Sequence, residues 1–331
     1  ASDVYKRQQE YMPAIIYTTH AGPELGNAFA DVISGKYSPA GRLAQTWYKS
    51  EYELAPIECY DIIENDMTYL YYRGKPLYPF GYGLSYAKFE YSDFDVKENG
   101  DVISVSLDVT NVSETDSDEV VQIYFRMENP SVKRPLRQLV AFARERIECG
   151  RTRHFEFDIK KSELRFYDVS RERFAVEQGR YTFMAGASSE DIRLTKTIDV
   201  SGEIIPPREL CKGVKAKNYD GKYGTKMKYS KKLEQHYMLG GGLIYNNCVL
   251  GEADSIEIVC GSRVNTGKIT VRYGGETLCE AEVKPTVDVT EFETVTAQFD
   301  KAVLAGIDRE KPAVFELWMP EQIYILGFRT Y

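Results

Sequence analysis

The residues of this chain whose types and spacing could do chemistry are acids and tyrosines in its first quarter. Glu24 and Asp31 stand seven residues apart. On a helix they would share a face, yet a rise of about 1.5 Å per residue parts them by about 10 Å along the axis. Two carboxylates acting as nucleophile and acid/base on one bond stand about 5 to 5.5 Å apart. The pair is therefore expected as solvated helix charge, with Glu24 favouring the N-terminal dipole. Glu58, Asp61, Glu64 and Asp66 form an acidic cluster that would suit a substrate rim and is expected as a solvated loop. Tyr69, Tyr71, Tyr72, Tyr78, Tyr82 and Tyr86 could make a stacking platform, because an aromatic face buries apolar area while its hydroxyl keeps a polar contact. The prolines and glycines among them fix a turn-rich path, which favours core packing at a junction.

Other chemistries find little support. Cys59, Cys149, Cys211, Cys248, Cys260 and Cys279 are scattered without C-x-x-C spacing, and His20, His154 and His236 lie nowhere near them, so no zinc-type pattern exists and no metal or cofactor is expected. A chain this long needs no disulfide staples. The cysteines are expected as buried free thiols, which favours a reducing, cytoplasmic compartment over secretion. Asn111-Val112-Ser113 fits the glycosylation acceptor pattern, but has no meaning without a secretory route.

A length of 331 residues exceeds one ordinary core, and three domains are expected. Hydrophobic content of 43% with 28% charged residues is that of a globular chain, and no apolar run approaches the roughly 18 to 20 residues of a membrane span. The formal charge of −8 disfavours nucleic acid, whose phosphates call for clustered Lys and Arg. Ala1 to Gln8 fits no helix or strand template and reads as a scar.

The elements that must position these residues follow from periodicity. Ala14 to Thr19 is a β-prone apolar run. Gly22-Pro23-Glu24 is a helix start, with Pro23 at the first helical position, Glu24 in the first turn, apolar Leu25, Ala28, Phe29, Val32 and Ile33 at helical spacing, and Gly35 as the stop. Strand then helix is half of a parallel α/β unit, which buries both faces only as part of a larger sheet. From Glu90 to about Val200 the period is two, with strands expected around Val105–Val109, Val120–Phe125, Gln138–Ile147, Phe155–Ile159, Leu164–Tyr167 and Arg180–Ala185. About seven strands in about 110 residues predict a fibronectin type III-like sandwich. Ser201 to Pro207 breaks the alternation and marks a boundary. Beyond it, runs at Leu243–Leu250, Ser255–Cys260, Lys268–Tyr273, Leu278–Val283, Thr294–Phe299, Val314–Met319 and Ile323–Phe328 predict a second sandwich, a jelly roll without helix.

His20-Ala21-Gly22-Pro23-Glu24-Leu25-Gly26-Asn27-Ala28, then Gly35, Ser38-Pro39-Ala40-Gly41-Arg42-Leu43 and Thr46-Trp47 follow one another in a fixed order. Tyr60-Asp61-Ile62, Thr68-Tyr69 and Phe80-Gly81-Tyr82-Gly83-Leu84-Ser85-Tyr86 continue it, followed by Val120-Val121-Gln122-Ile123-Tyr124 and Gln138-Leu139-Val140-Ala141-Phe142. Over roughly residues 12 to 200 this resembles the C-terminal part of glycoside hydrolase family 3, the β-glucosidase and β-xylosidase type. The resemblance implies a truncated α/β segment and linker over 1–86 and a fibronectin type III-like domain over 87–202; with the jelly roll that periodicity predicts over 208–331, the fold is expected to be mainly β. The resemblance also implies a retaining β-glycosidase acting on terminal β-linked glucose or xylose. Its catalytic carboxylates, an Asp nucleophile on an N-terminal barrel and a Glu acid/base ahead of the Gly22-Pro23-Glu24 helix, would lie before residue 1. No catalytic residue is then expected here; the partners are that barrel and an oligosaccharide or polysaccharide, with neither nucleic acid nor membrane.

Val214 to Tyr219, Gly242 to Tyr245 and Gly267 to Val271 are similar, more loosely, to family 6 carbohydrate-binding modules. That likeness implies sugar stacking between Tyr237 and Phe292, placed in loops at one end of the sandwich. Lys217 stands where such modules carry an acid that helps hold calcium, so calcium is not expected. The likeness also departs at Trp318-Met319-Pro320-Glu321-Gln322, where an Asn is typical. A stand-alone carbohydrate-binding or surface-interaction protein without catalysis is the alternative.

Overall fold

The computed structural model describes residues 8–18, 22–57, 59–286 and 291–331. Thr19, His20, Ala21, Glu58 and Asp288 lie outside them, as does most of Ala1 to Gln8. The chain falls into two units: Ala1–Phe166 with Ala175–Glu203, and Tyr167–Phe174 with Ile204–Tyr331.

In the first unit, alternation dictates a sandwich. It holds β1 (Phe89–Asn99), β2 (Val102–Asn111), β3 (Ser117–Met127), β4 (Gln138–Ile147), β5 (Thr152–Lys160), β8 (Gly179–Gly186) and β9 (Ile192–Val200); between β5 and β8 the chain forms the short pair β6 (Phe166–Asp168) and β7 (Arg173–Ala175), most of which belongs to the second unit. One sheet runs β1-β2-β5 and the other β4-β3-β8-β9, all antiparallel. Ile103, Val105, Leu107 and Val109 of β2 are fully buried and meet Ile123, Phe125, Tyr181 and Phe183 of the facing sheet. Each such side chain contributes about 1.5–3 kcal/mol.

Ahead of the sandwich, α1 (Leu25–Ile33) is the expected helix, ended by Gly35 at φ 76°. It starts later than expected: Pro23 lies in a preceding turn and Glu24 is the N-cap residue, because Leu25 N–H bonds Gly22 O before the helical ladder begins. The expected strand at Ala14 to Thr19 does not form over its described residues, which are exposed and pair with no neighbouring strand. A short helix α2 (Thr68–Tyr71) follows. Around Leu164 the expected strand is replaced by a 3₁₀ turn over Lys161–Leu164 that feeds β6.

The second unit holds β10 (Arg208–Glu209), β11 (Val214–Lys215), β12 (Gly221–Tyr223), β13 (Lys226–Ser230), β14 (Gln235–Val249), β15 (Ser255–Ser262), β16 (Gly267–Tyr273), β17 (Glu276–Val283), β18 (Glu293–Gln298) and β19 (Ala313–Thr330). Two long strands serve both layers. Residues 241–248 of β14 and 313–319 of β19 pair with each other and with β12 and β16, and β16 pairs on to β17. Their other halves bring in β13, β15, β11 and, through β15, β18. Leu243, Tyr245, Ile256, Ile258, Val271, Phe315, Leu317 and Ile325 fill the space between. β14 turns from one layer to the other at Gly240 and Gly241, with φ 63° and 73°.

Two expectations are corrected here. Val314–Met319 and Ile323–Phe328 are one continuous strand, since the peptide carries its pairing past Pro320. A helix is also present, α3 (Lys301–Gly306), started by Asp300, whose carboxylate accepts from Ala302 N–H at 2.8 Å. All six cysteines are free: Cys248 and Cys260 are buried as expected and Cys279 is half-buried, whereas Cys59, Cys149 and Cys211 are exposed. Those three lie outside the sandwich strands, where no layer covers them.

Candidate functional site

The stretch from Pro76 to Tyr86 is held from two sides. Leu43 N–H donates to Tyr82 O at 2.9 Å, Gly81 N–H to Leu43 O at 2.7 Å, and Trp47 N–H to Tyr78 O at 2.9 Å, so residues 43–47 and 78–82 run as an irregular antiparallel pair. Gly83 is required: a Cβ there would lie 2.1 Å from Gly41 O.

The second side is the β4-β3-β8-β9 sheet. Gln122 of β3 donates from Nε2 to Gly81 O at 3.1 Å and to Ala187 O at 2.6 Å, while Tyr124 OH donates to its Oε1 at 2.6 Å. Ser189 N–H reaches Phe80 O at 2.9 Å. Tyr69 stacks on Phe80 with ring centroids 4.1 Å apart and stands edge-on to Tyr124. Nearby, Arg42 bonds the Glu119 carboxylate at 3.1 Å, and Tyr91 OH donates to its other oxygen at 2.8 Å. Burial pushes the Glu119 carboxyl above its ordinary value, with Arg42 pulling the other way, and raises the Tyr91 hydroxyl well above its own. Ser117 Oγ meets Ser38 Oγ at 2.7 Å. Most of the tyrosines pack as a junction requires: Tyr78 stacks with Tyr82 at 5.2 Å, Tyr48 stands edge-on to Tyr72 at 4.9 Å, and Tyr71 is buried, whereas Tyr86 is exposed, its hydroxyl donating to Val32 O at 2.8 Å.

Sequence reasoning passed over Glu119 and Gln122 as polar anchors. The available signal was their type: Gln122 inside the apolar run of β3 and Glu119 just ahead of it, both buried to 3% exposure or less. Buried polar groups have partners.

Several acids meet a cation, a side-chain amide or backbone N–H groups. Four carboxylates with side chains at most a tenth exposed each meet an arginine: Glu119 with Arg42, Glu177 with Arg134, Asp168 with Arg171, and Asp220 with Arg208. Glu24 accepts from Asn27, Asp31 pairs with Lys36 at 2.9 Å, Asp61 accepts from Ile63 and Glu64 N–H, and Asp66 pairs with Lys133 at 2.7 Å. Asn111 is fully buried, and its amide donates to Thr115 O and Ile147 O, so the Asn111-Val112-Ser113 pattern offers no accessible acceptor for a glycan.

Tyr237 and Phe292 meet, but not as two walls of a slot. Tyr237 belongs to β14 rather than a loop and is 7% exposed. Its ring stands 5.9 Å from that of Phe292 at 71°, and both pack edge-on against Tyr324. Tyr324 OH donates to Glu291 O at 2.9 Å. Lys217 is exposed.

Comparison with known proteins places the first unit. Residues 2–86 match the glycosyl hydrolase family 3 C-terminal domain, and residues 119–189 the fibronectin type III-like domain. The chain carries both domains. It is 34% identical over 192 residues to a xylan 1,4-beta-xylosidase of Xylanibacter ruminicola, covering 57% of this chain and 22% of that protein. It is 35% identical over 200 residues to thermostable beta-glucosidase B of Acetivibrio thermocellus, covering 55% and 26%. Among solved structures, beta-glucosidase 3B of Thermotoga neapolitana in complex with alpha-D-glucose matches with a TM-score of 0.52 at 30% identity, over 56% of this chain and 28% of that one. The beta-D-glucoside glucohydrolase of Trichoderma reesei matches with a TM-score of 0.51 at 29% identity, over 54% and 29%. The chain therefore spans about a quarter of the length of the curated relatives it matches, and neither family model extends past residue 189.

Proposed function

We propose that this chain forms the C-terminal portion of a retaining β-glycosidase that removes terminal β-linked glucose or xylose from an oligosaccharide, and that the bond-breaking carboxylates are not among its residues. One observation carries this reading. In the segment that matches the family 3 C-terminal domain, α1 presents Leu25, Phe29, Val32 and Ile33 on one face and buries none of its residues. An amphipathic helix of that kind packs against a sheet. We assign that cover to the remainder of the α/β domain and to the N-terminal barrel of the parent enzyme, and the domains to 1–86, 87–202 and 208–331.

In the parent, two carboxylates about 5 to 5.5 Å apart would carry out a double displacement. The acids singled out above, Glu24, Asp31, Asp61, Asp66, Glu119, Asp168, Glu177 and Asp220, are each engaged by a cation, a side-chain amide or a backbone turn, which supports a scaffold role for them. The test is direct: the chain alone, offered a chromogenic β-glucoside and β-xyloside, is expected to give no turnover above the uncatalysed rate. Turnover at about 1 s⁻¹ or faster, an ordinary enzymatic rate, would end the proposal.

The alternative, a carbohydrate-binding protein without catalysis, rests on Tyr237 and Phe292. Their edge-on contact speaks for packing instead. Titration calorimetry with xylo- and gluco-oligosaccharides decides it, because binding abolished by Tyr237→Ala would favour that reading.

A further inference from the structure

On the second unit, one cross-strand row is unlike the rest of the surface. Tyr223 of β12 pairs with Gly242 of β14, Gly242 with Trp318 of β19, Trp318 with Thr270 of β16, and Thr270 with Glu280 of β17. The residues flanking this row along the strands, Leu243, Leu317 and Val271, point into the core and are fully buried. Side chains alternate along a strand, so the row faces outward.

The aromatic part of the row lies flat. A Cβ at Gly242 would sit 2.7 to 2.9 Å from three atoms of the indole six-membered ring of Trp318, Cε3, Cζ3 and Cη2. Near-equal distances to three ring atoms mean that the ring lies face-down over the glycine backbone, and Trp318 is half-buried. Tyr223 stacks on it with an offset, its ring within 14° of the indole plane and the centroids 5.8 Å apart. It is 61% exposed although it is one of the larger apolar side chains of the unit. Thr270 and Glu280, half-buried and exposed, extend the row with polar groups.

We propose that this row is a binding platform for a neutral oligosaccharide laid across the strands. Sugar rings carry C–H groups on their faces and hydroxyls at their rims. The exposed ring of Tyr223, backed by Trp318, suits the first, and the Thr270 hydroxyl and Glu280 carboxylate suit the second. Charge argues for a neutral ligand, because these ions in and beside the row are paired with opposite charges: Arg272 with Glu316 at 3.9 Å and Lys268 with Glu280 at 2.7 Å. With strands about 4.8 Å apart, five of them give a track of about 19 Å, which suits an oligosaccharide better than a single sugar. The choice of ligand rests on the glycosidase reading above, and the site is separate from Tyr237 and Phe292.

The test is calorimetric titration of the intact chain with cellohexaose and with xylohexaose. At least one should bind. Tyr223→Ala should weaken binding about tenfold or more, Tyr223→Phe should keep it within about threefold because the ring remains, and Tyr229→Ala, which removes an equally exposed tyrosine from another strand, should leave it unchanged. Tyr223 is exposed, so these variants should unfold with the same midpoint as the parent, which separates loss of the site from loss of the fold. Absence of binding to both ligands, or binding indifferent to Tyr223→Ala, overturns the platform. Binding lost on Tyr237→Ala but kept in Tyr223→Ala overturns it as well. None of these outcomes touches the hydrolysis assay on which the glycosidase reading stands.

Discussion

Gln122 and Gly81 interlock. The amide of the first donates to the carbonyl of the second, and a Cβ on Gly81 would lie 2.0 Å from the Gln122 Oε1, at a backbone φ of 80° that favours glycine. One side chain thereby fixes the loop before the sandwich, the loop after β8 at Ala187, and the Tyr124 hydroxyl.

Replacing Gln122 with Leu keeps the volume and strands three buried polar groups. The expected loss is about 2–4 kcal/mol of stability, several unmet bonds at about 1–3 kcal/mol each with partial relaxation. Urea unfolding checks it; a midpoint equal to the parent's would show the anchor to be dispensable.

Arg42→Met should cost about 3–5 kcal/mol near neutral pH, because it leaves the Glu119 carboxylate buried without its cation. The pH dependence has a definite sign. Burial holds the Glu119 carboxyl above its ordinary 4.5, and Arg42 opposes that. A carboxyl raised on folding contributes stability below its unfolded value, and that contribution is lost as pH rises through the folded one. Without Arg42 the folded value climbs further and the loss deepens. The gap between parent and variant should therefore narrow as the pH is brought down towards 4.5, and Glu119→Gln in the Arg42→Met background should recover part of it at neutral pH.

Two glycines of positive φ should separate cleanly. Gly100, at φ 63°, has open space where a Cβ would go, whereas at Gly241, φ 73°, a Cβ would fall 2.1 Å from Tyr223 O. Gly100→Ala should cost about 1–2 kcal/mol, the left-handed penalty alone. Gly241→Ala should cost more, since backbone must also move. Thermal unfolding of the two variants ranks them; equal losses would refute the crowding at Gly241.

Thiol counting under native conditions should find three fast groups, Cys59, Cys149 and Cys211. Burial pushes the Cys248 and Cys260 thiols up to about 12 and Cys279 up to about 11, so these hold little thiolate at neutral pH and should react only on unfolding. A disulfide-exchange reagent read at 412 nm on the native and denatured chain makes the comparison, on the order of minutes against hours.

Much of the fold was legible where burial is one-sided. The alternation of β2 and the Gln138–Ile147 run of β4 could be read directly, because each strand has one face in the core. The apolar run at Ala14 was misread because a strand is a relation between segments, and its propensity alone creates no partner. β12 and β13, short and lysine-bearing, the second largely exposed, gave no hydrophobic signal, and their pairing with β14 is visible only in three dimensions. The sugar pair Tyr237 and Phe292 was located by likeness of position. Spacing along a chain places two rings near each other but does not set their angle, and here Tyr324 fills the remaining side. Tyr223 and Trp318 stand 95 residues apart, and only the register of β12, β14 and β19 brings them together.

β19 touches β14 and β16 with its first half and β15 and β11 with its second. A ribosome making this polypeptide would emit the neighbours of that strand one after another, each with a bare edge and an apolar flank. The pairs β12 and β13 with β14, β15 with β18, and β16 with β17 could form early, but they could not be joined into the two layers before β19 had left the exit tunnel. A translation product cut short of β19 would therefore expose unpaired strand edges and apolar faces and should aggregate.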